Sequence, residues 1–292
     1  MNGAVKLPAR AAEDAGGSAA QGLDRYAVFG NPIAHSRSPA IHARFAELTG
    51  QALTYERILA PVDGFASALR DFIDAGGCGA NVTLPFKLDA CAAATQLSAR
   101  AQAAGAVNTL SFKDGEITGD NTDGIGLVTD LLVNAGVTLR DRRILLLGAG
   151  GAAQGVILPL LEAGPAELVI ANRSADKAAA LATRFAAAGP IGAATFDSLG
   201  ASHFDIVINA TAASISGDVP AIDLTLLDHD TFTYDMMYAA TPTAFMRAAA
   251  ERGAAVRDGL GMLVEQAAEA FALWRGVRPP TAAVLAELRA AL

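Results

Sequence analysis

The chain contains little cysteine, few aromatic residues and no long apolar run. Its 292 residues include only two cysteines, Cys78 and Cys91, and four histidines. None of these residues has metal-ligand spacing, so we expect neither a disulfide framework nor a metal site, and a reduced cytoplasmic setting is the simplest interpretation. No apolar run reaches the roughly 18 residues that a membrane span needs. The first 23 residues lack the apolar stretch of a signal peptide.

Cationic charge is also scarce, since the formal net charge is −8. Nucleic-acid binding depends on many cationic contacts to phosphates, so this balance argues against a nucleic-acid partner. Apolar residues make up 52% of the chain and charged residues 18%, which is typical of a soluble globular enzyme with a sizeable core. Residues 1–23, rich in alanine and glycine, are predicted to form a disordered tail.

From Arg25 onward, β-like runs alternate with helical runs. After the first strand, Ser38 and Pro39 are predicted to open a helix, with Ser38 as the N-cap and Pro39 at the first helical position. Asp114-Gly115 is a strong hairpin signal between two later strands. The predicted strands of the first half are 26–29, 54–58, 79–83, 108–112 and 116–118.

The second half has continuous apolar runs, which are typical of parallel strands buried on both faces. A final helical stretch begins at Met262 and is interrupted by Pro279-Pro280. This alternation predicts an α/β protein with two domains, an N-terminal α/β domain and a doubly wound domain, and with C-terminal helices that return to the first. The predicted strands here are 144–147, 168–171, 206–208 and 233–236.

A glycine-rich turn follows the first strand of the second half. Gly148-x-Gly150-x-x-Ala153 stands between a predicted strand and a predicted helix, which is the context of a dinucleotide-binding fingerprint. Gly148 permits the tight turn, Gly150 permits close approach to a pyrophosphate, and Ala153 keeps helix and strand close. The predicted cofactor contacts in this turn are Gly148, Ala149, Gly150, Gly151, Ala152 and Ala153.

The end of the next predicted strand indicates which dinucleotide binds. An NAD site usually has Asp or Glu there, which accepts from the ribose 2′-OH. This chain instead has Asn172-Arg173-Ser174, followed by Lys177. Two cations and two small polar groups suit a 2′-phosphate, which Arg173 can bond with its planar fork. NADP is therefore the predicted cofactor, with a solvated helix start as the alternative explanation of Arg173 and Lys177.

Three segments of the first half carry more polar residues than packing requires. They are GNPIAHSRSP at 30–39, NVTLPFK at 81–87 and GDNTDG at 119–124. Ser36 and Ser38 stand beside a predicted helix N-terminus, where two hydroxyls suit a carboxylate. Taken singly, each segment has a structural explanation: a helix N-cap for Ser38, a surface position for Lys87 and an Asp-Gly turn for Asp123.

Taken together, these segments resemble shikimate dehydrogenases, from about Arg25 to the C-terminal helices. The resemblance rests on GNPIAHSRSPAIH, NVTLPFK, GAVNTL, GDNTDG, LLLGAGGAA, NRSADKA, INATAA, YDMMY and DGLGMLVEQAAEAF, which occur in this order. It implies a reversible, NADPH-dependent reduction of 3-dehydroshikimate to shikimate, a small-molecule reaction of chorismate and aromatic amino acid biosynthesis. The N-terminal domain is then the substrate domain, and the doubly wound one is a Rossmann domain for NADP.

The resemblance also implies roles for residues by position. Lys87 and Asp123 match the family's catalytic pair, with Lys87 as the acid in reduction and the base in oxidation. Ser36 and Ser38 match the residues that bind the substrate carboxylate. Further substrate contacts match Asn81, Thr83, Asn108, Tyr238 and Gln266. The 2′-phosphate clamp matches Asn172, Arg173, Ser174 and Lys177, and the lining of the nicotinamide pocket matches Gly259 and Met262.

The expected bounds are 24–122 for the substrate-binding catalytic domain, with 260–292 packing back on it, and 123–259 for the NADP-binding domain. The oligomeric state is not readable from the sequence, and a homodimer stays one option. The chain departs from the family pattern at Ala239-Ala240-Thr241, where a polar residue and a proline are more usual, and at Ala43, where an asparagine is common.

Three alternatives stay open at this point. The first is a quinate/shikimate dehydrogenase with relaxed cofactor use, because quinate acceptance depends on the pocket's shape. The second is another Rossmann reductase, such as a methylenetetrahydrofolate dehydrogenase, against which the two serines and NVTLPFK count. The third is a non-catalytic NADP-sensing protein, which would need no pair such as Lys87 and Asp123.

Overall fold

The computed structural model describes residues 23–200 and 202–292. The predicted tail at 1–23 lies outside these ranges, apart from its last position. The chain divides into two compact units. The first unit comprises residues up to Thr122 with Ala267–Val284, and the second comprises Asp123–Gln266 with Leu285–Leu292. Within the described ranges, no helix has both the length and the apolar composition to cross a membrane.

The first unit contains a mixed six-stranded sheet. Its strands are β1 Asp24–Gly30, β2 Leu53–Leu59, β3 Gly77–Val82, β4 Gln96–Leu97, β5 Thr109–Lys113 and β6 Glu116–Asp120. They lie in the order β2-β1-β3-β5-β6-β4. β1 runs parallel to β2 and β3, whereas β5 is antiparallel to β3 and β6. The carboxyl ends of the parallel strands therefore meet at one edge of the sheet.

The second unit contains a sheet whose paired strands are all parallel. Its strands are β7 Arg143–Leu147, β8 Glu167–Asn172, β9 Ile191–Thr195, β10 Ile206–Asn209, β11 Phe232–Asp235 and β12 Ala255–Asp258. The order is β12-β11-β10-β7-β8-β9. The chain thus winds from β7 to one side and then from β10 to the other, which is the doubly wound arrangement with a switch point between β7 and β10.

Helices connect these strands in both units. They are α1 Ser38–Thr49, α2 Phe65–Asp74, α3 Lys87–Ala93, α4 Ala99–Ala104, α5 Asp123–Thr129, α6 Gly151–Glu162, α7 Ala175–Phe185, α8 Ala213–Ser216, α9 Ala244–Glu251, α10 Leu260–Arg275 and α11 Ala282–Ala290. A π-helical turn, Asp130–Asn134, follows α5 directly. Short 3₁₀ turns lie at Ala186–Ala188, Phe196–Ser198 and Leu224–Leu226.

Each sheet is covered by apolar side chains that the pattern predicts. In β7 every residue from Ile144 to Leu147 has zero exposure, as expected of a parallel strand buried on both faces. In the first unit, Trp274 stacks on Tyr26 with ring centroids 4.6 Å apart and donates from Nε1 to the Leu110 carbonyl at 3.0 Å. Gly79 makes this approach feasible, because a Cβ there would lie 2.6 Å from Trp274 Nε1.

The predicted α/β fold is confirmed, and so are the predicted strands, with shifts of one or two residues at their ends. The Asp114-Gly115 hairpin is also confirmed, with φ of 51° and 79°, because a type I′ turn needs two left-handed residues. The prediction of Ser38 as N-cap is wrong. The N-cap is Arg37, Ser38 is the first helical residue, and no side chain caps the helix. The Ser38 hydroxyl is instead hydrogen-bonded to the side chain of Tyr55.

The C-terminal segment divides differently from the predicted bounds. Residues 260–266 and 285–292 belong to the second unit, and only Ala267–Val284 belongs to the first. Two contacts explain this division. Arg289 pairs with Asp258 at the end of β12, and Gln266 lies against Gly126 of α5, where a Cβ would be 2.7 Å from Gln266 Cβ. The assignment of catalytic and cofactor roles to the two domains stays a prediction.

Candidate active site

The loop after β1 holds two of the predicted substrate-binding hydroxyls. Ser36 Oγ accepts a hydrogen bond from the Ser38 backbone N–H at 3.3 Å. The Ser36 carbonyl accepts from Arg57 twice, from Nε at 3.0 Å and from Nη2 at 2.6 Å. Arg57 lies on β2, so the loop is fastened to the neighbouring strand. Because both guanidinium bonds go to one carbonyl, the position of Ser36 is fixed through its backbone, and the residue itself is partly exposed.

Tyr55 connects the serine loop to the predicted asparagine of β3. Its hydroxyl donates to Asn81 Oδ1 at 2.7 Å and is also hydrogen-bonded to the Ser38 side chain. Burial raises the pKa of Tyr55 well above its ordinary value, so the phenol keeps its proton and stays a donor. Ser38 is 6% exposed and Asn81 6%. Ser38 therefore serves this network rather than the helix end.

A second group of polar side chains surrounds Asn108, the residue before β5. Asn108 Oδ1 accepts from the Thr122 backbone N–H at 2.8 Å and from Thr109 Oγ1 at 2.9 Å. Thr109 Oγ1 in turn accepts from Asn81 Nδ2 at 3.1 Å. Asn81 Nδ2 also donates to the Asn108 carbonyl at 3.2 Å. Asn81 and Asn108 therefore belong to one continuous hydrogen-bonded network with the serine loop.

Lys87 is the first residue of α3 and is partly buried. Its carbonyl accepts from the Val107 backbone N–H at 2.9 Å, which fixes the start of α3 beside the residue that precedes Asn108. Thr83 lies between β3 and α3, and its backbone N–H donates to the Phe29 carbonyl at 2.9 Å. Gly30 permits this approach, because a Cβ there would lie 2.6 Å from Thr83 Cγ2. All six residues predicted for the first unit thus lie at one end of its sheet.

A buried histidine packs under this network. His42 of α1 has zero exposure and stacks on Tyr55 with centroids 4.2 Å apart and a 6° interplanar angle. Neither ring nitrogen finds a hydrogen-bond partner of good geometry among the described residues. Burial lowers the pKa of His42 to about 3, and the adjacent Asn81 side chain opposes this only in part. His42 is therefore a neutral ring that supports Tyr55 and is not an acid–base group at neutral pH.

The second unit presents an open turn at its switch point. Gly148 has φ of +108°, and a Cβ there would be 3.2 Å from the Ala210 carbonyl. At Gly150 and Gly151 a Cβ would meet nothing within 4 Å. No side chain caps the start of α6, whereas Ala153 in its first turn is fully buried. These features fit the pyrophosphate of a dinucleotide.

The end of β8 presents the predicted basic cluster. Arg173, Ser174 and Lys177 are exposed, and Asn172 Nδ2 donates to the Ser174 carbonyl at 3.1 Å. Within the described residues, neither cationic side chain is engaged in an ion pair or hydrogen bond. The first turn of α7 holds one acidic residue, Asp176. Two cations beside an uncapped helix N-terminus fit a phosphate group, and so this edge suits the 2′-phosphate of NADP.

Loops after β10 and β11 are fastened by one buried carboxylate. Asp235, with zero exposure, accepts from Ser214 Oγ at 2.5 Å, Thr243 Oγ1 at 2.7 Å and the Met237 backbone N–H at 3.0 Å. Tyr238 follows Met237 directly and is partly buried. The predicted contact Tyr238 therefore lies on a loop whose two ends are fixed by the same carboxylate.

The start of α10 is held by contacts to the neighbouring loops. The Gly259 N–H donates to the Met237 carbonyl at 3.0 Å, and a Cβ at Gly259 would be 2.2 Å from the Met236 carbonyl. Met262 and Gln266, one turn apart, are 8% and 9% exposed. Gln266 Nε2 donates to the Leu263 carbonyl at 3.0 Å. The predicted residues of this segment thus occupy a closely packed helix start.

Asp123 opens α5 and is 7% exposed. Gly124 lets α5 approach α6, because a Cβ there would lie 2.4 Å from Pro159 Cγ. Asp130, in the π-helical turn after α5, has a fully buried side chain. It accepts from Arg257 Nε at 3.0 Å and Nη2 at 2.6 Å and from Tyr234 Oη at 2.7 Å. This ion pair ties the helix that begins at Asp123 to strands β11 and β12.

Comparison with known proteins identifies the family. Family models match this chain at residues 28–110 (shikimate dehydrogenase substrate binding domain), 131–216 (shikimate/quinate 5-dehydrogenase) and 259–289 (shikimate 5′-dehydrogenase C-terminal domain). A curated shikimate dehydrogenase (NADP(+)) from Herminiimonas arsenicoxydans is 62% identical over 269 residues, which are 92% of this chain and 98% of that protein. The chain belongs to the shikimate dehydrogenase family. The resemblance read from the sequence is thereby confirmed.

Solved structures of similar proteins agree with this family. An Ael1 enzyme from Pseudomonas putida is 49% identical with a TM-score of 0.88, over 91% of this chain and 98% of that one. A shikimate 5-dehydrogenase from Thermus thermophilus, in complex with NADP(H) and shikimate, is 34% identical with a TM-score of 0.83. This match covers 92% of the present chain and 100% of the Thermus thermophilus chain.

For a shikimate dehydrogenase, sequence reasoning missed several residues that hold the predicted ones in place. Tyr55, Arg57, Thr109 and Thr122 were not among the candidates, although each bonds to a candidate residue. A signal was available for two of them, because Thr109 directly follows Asn108 and Thr122 directly precedes Asp123. A polar residue adjacent to a predicted site residue, at a strand end, belongs in such a set.

Outside this region, one further group of potential metal ligands is found among the described residues. Its ligand atoms, from Asp228, His229 and Asp230, lie within 4.8 Å of one another. Asp228 Oδ1 accepts from the Asp230 backbone N–H at 2.9 Å and from Thr231 Oγ1 at 3.1 Å. The carboxylate therefore shapes a turn, and the cluster has a structural explanation in this shikimate dehydrogenase family member.

Proposed function

We propose that this chain interconverts 3-dehydroshikimate and shikimate with NADP(H), using Lys87 and Asp123 as catalytic residues. The reaction and the cofactor are those named for its curated relatives, which match nearly the whole chain. The predicted enzyme class, an NADP-dependent oxidoreductase that acts on a CH–OH group, follows from the same comparison.

The observation that carries the proposal is the hydrogen-bonded network of the first unit. Ser36, Ser38, Asn81 and Asn108 lie at the carboxyl ends of β1 and β3 and are joined by direct hydrogen bonds or through Tyr55 and Thr109. Such a set of neutral donors and acceptors suits a polyhydroxylated ring. The two serine hydroxyls, at a helix start without a side-chain cap, suit its carboxylate.

The protein's own part in the reaction is proton transfer and orientation. In reduction, Lys87 donates a proton to the substrate oxygen, and in oxidation Lys87 accepts it back. Asp123 accepts a hydrogen bond from a ring hydroxyl and so orients the ring. The nicotinamide, when bound, supplies or accepts the hydride at the ring carbon. Residues Gly148–Ala153 would hold the pyrophosphate, and Asn172, Arg173, Ser174 and Lys177 would hold the 2′-phosphate.

Tyr238, Gln266, Gly259 and Met262 complete the proposed site. The support for Tyr238 and Gly259 is that the loop after β11 and the start of α10 are bonded to each other through Met237. The proposed assignment of the substrate role to the first domain and of the NADP role to the second rests on where these residues lie. A cytoplasmic location belongs to the same proposal, and a homodimer stays one option for the oligomeric state.

The test is an assay of the purified chain with shikimate and NADP⁺, followed by the absorbance of the reduced nicotinamide. We expect turnover, and a much smaller rate with NAD⁺ in place of NADP⁺. Quinate in place of shikimate distinguishes the relaxed quinate/shikimate alternative, which predicts comparable rates for both. Folded protein that binds NADP⁺ and turns over neither substrate would support the NADP-sensing alternative and overturn the proposal.

A further inference from the structure

We propose that Thr109 is a positioning residue that fixes the orientation of one substrate-facing amide, that of Asn81, relative to its neighbour Asn108. The inference rests on the proposed function, because it assigns to Thr109 a part in recognising the substrate's ring. Thr109 is the first residue of β5, and its side chain is 1% exposed. It is the cross-strand neighbour of Asn81 on β3 and the chain neighbour of Asn108. Its single hydroxyl therefore stands between the two amides.

The direction of each hydrogen bond in this network is determined by groups that can play only one role. The Thr122 backbone N–H can only donate, so the atom of Asn108 that faces it at 2.8 Å must be the carbonyl oxygen Oδ1. The hydroxyl hydrogen of Thr109 is then directed to this same Oδ1 at 2.9 Å. The Thr122 hydroxyl also contacts Asn108, accepting from Nδ2 at 3.0 Å and lying 3.2 Å from Oδ1, and it lies 3.3 Å from the Thr109 hydroxyl. Asn108 is therefore held at both ends of its amide by Thr122.

With its hydrogen committed to Asn108, Thr109 offers only oxygen lone pairs to Asn81. The NH₂ end of Asn81 must therefore face Thr109, which it does at 3.1 Å, while its second N–H donates to the Asn108 carbonyl at 3.2 Å. The Oδ1 end of Asn81 is left to accept from Tyr55 at 2.7 Å. A chain of hydrogen bonds with defined donors and acceptors thus runs from Thr122, between β6 and α5, through Asn108, Thr109 and Asn81 to Tyr55 on β2.

Burial makes this order stable against exchange with water. Asn81, Asn108 and Thr109 are 6%, 3% and 1% exposed, so a reversed amide would leave buried donors facing donors. An unsatisfied buried polar group costs more free energy than a neutral hydrogen bond gains. Without the Thr109 hydroxyl, Asn108 loses one of its donors and Asn81 loses one of its acceptors. Asn108 keeps its bonds to Thr122, whereas Asn81 is less firmly held at the end of the sheet where the ring is expected to bind.

The test compares variants that separate the hydroxyl from the rest of the side chain. Thr109→Val keeps the shape and removes the hydroxyl, whereas Thr109→Ser keeps the hydroxyl and removes a buried methyl. We expect kcat/KM for shikimate to fall by about 10- to 100-fold in Thr109→Val, in line with the loss of two buried hydrogen bonds. In Thr109→Ser it should stay within about threefold of the wild-type value, and the KM for NADP should change little in either variant.

Both variants should be less stable than the wild type, Thr109→Val because buried polar groups lose partners and Thr109→Ser because a buried methyl is lost, so a fall in activity confined to Thr109→Val separates positioning from general stability. Thr109→Ser loses buried apolar volume, so it should melt below the wild type and still turn over shikimate well. If Thr109→Val fails to fold, Thr109→Ala against Thr109→Ser gives the same comparison, because these two differ by one oxygen atom. An equal fall of kcat/KM in Thr109→Ser and Thr109→Val would overturn the proposal, and so would normal kcat/KM in Thr109→Val.

A second readout does not depend on turnover. In protein labelled with ¹⁵N at asparagine, the side-chain amide of Asn81 should exchange hydrogen faster in Thr109→Val than in Thr109→Ser or the wild type, and Asn108, which Thr122 holds, provides an internal reference. Equal exchange in all three proteins would overturn the positioning role. If the wild type does not turn over shikimate, the proposed function fails by itself, and the amide exchange still decides the role of Thr109.

Discussion

His42 should make the stability of the first unit depend on pH in a range where few other groups titrate. Burial lowers the pKa of its ring to about 3 in the folded protein, whereas an unfolded histidine has a pKa near 6.5. Between these values the unfolded state binds more protons than the folded state, so stability rises with pH through this window. It is fully present above about pH 6.5 and is lost progressively as the pH falls toward 3.

The magnitude follows from the distance between the test pH and the unfolded pKa. At pH 5 the folded ring is still neutral, and the unfolded ring lies one and a half pH units below its pKa. At about 1.36 kcal/mol per unit, the free energy of unfolding should be lower by about 2 kcal/mol than at pH 7. Carboxylates with a lowered pKa act in the same direction but mainly below about pH 4. One is Asp205, whose pKa is lowered, against its desolvation, by the Arg143 backbone N–H and by the ion pair with Arg142.

The assay is urea unfolding at pH 7 and pH 5, followed by the fluorescence of Trp274, the only tryptophan of the chain. Trp274 lies in the same unit, with its ring centroid 5.4 Å from that of His42. His42→Phe should remove most of the difference between the two pH values, whatever its effect on stability itself. The exposed His35 gives a matched control, because His35→Phe should keep the full difference. An unchanged difference in His42→Phe would refute the reasoning.

Further expected outcomes concern the site and its support. Lys87→Ala should depress kcat by about 10²–10⁴-fold and change the KM for shikimate much less, whereas the double change Ser36→Ala with Ser38→Ala should chiefly raise KM, as steady-state kinetics with shikimate will measure. Arg173→Ala should raise the KM for NADP by roughly 10- to 100-fold and leave NAD kinetics nearly unchanged, because one charge-assisted contact to the 2′-phosphate is lost. Asp130→Asn should lower the free energy of unfolding by roughly 3–5 kcal/mol, because a partly buried guanidinium loses its partner.

Each of these outcomes can be contradicted. A near-normal kcat in Lys87→Ala would make the lysine a binding group, with Asp123 as the next candidate for the proton. An equal loss with both cofactors in Arg173→Ala would mean that the arginine contacts the adenine or stabilises the fold. For Asp130, the exposed Asp63 provides the control Asp63→Asn, and similar calorimetric melting temperatures for the two variants would refute a buried ion pair of this strength.

The fold was largely predictable because its signals are local. Continuous apolar runs identified β7, β8, β10 and β11, and turn chemistry identified the β5–β6 hairpin. Of the four edge strands, only β2 was predicted. β9 and β12 carry partly exposed residues without a strong apolar run, and β4 has only two residues. Their strand conformation depends on pairing with a neighbour that is distant in sequence, which a local pattern cannot reveal.

The outline of the candidate site could be predicted from the sequence, but the hydrogen bonds between its residues could not. The glycine spacing predicted an open turn after β7, and the missing acidic residue predicted a basic cluster after β8. The structure contains an open turn at Gly150-Gly151 and exposed cations at Arg173 and Lys177. The N-cap role given to Ser38 was wrong, because the competing partner Tyr55 comes from another strand. Tyr55 and Thr109 act through contacts across strands, so their place beside Asn81 becomes visible only when β1, β2, β3 and β5 are assembled.

The loop that carries Tyr238 suggests where the chain tolerates alteration. Asp235 fastens it near the start through Met237 and at its end through Thr243, while residues 239–242 between these points are exposed. Substitutions there leave both anchors untouched, so the family departures at Ala239-Ala240-Thr241 need no compensating change elsewhere. Those positions are accordingly the place to randomise in a library that seeks new ring substituents, with the anchoring carboxylate and its hydroxyl partners held constant.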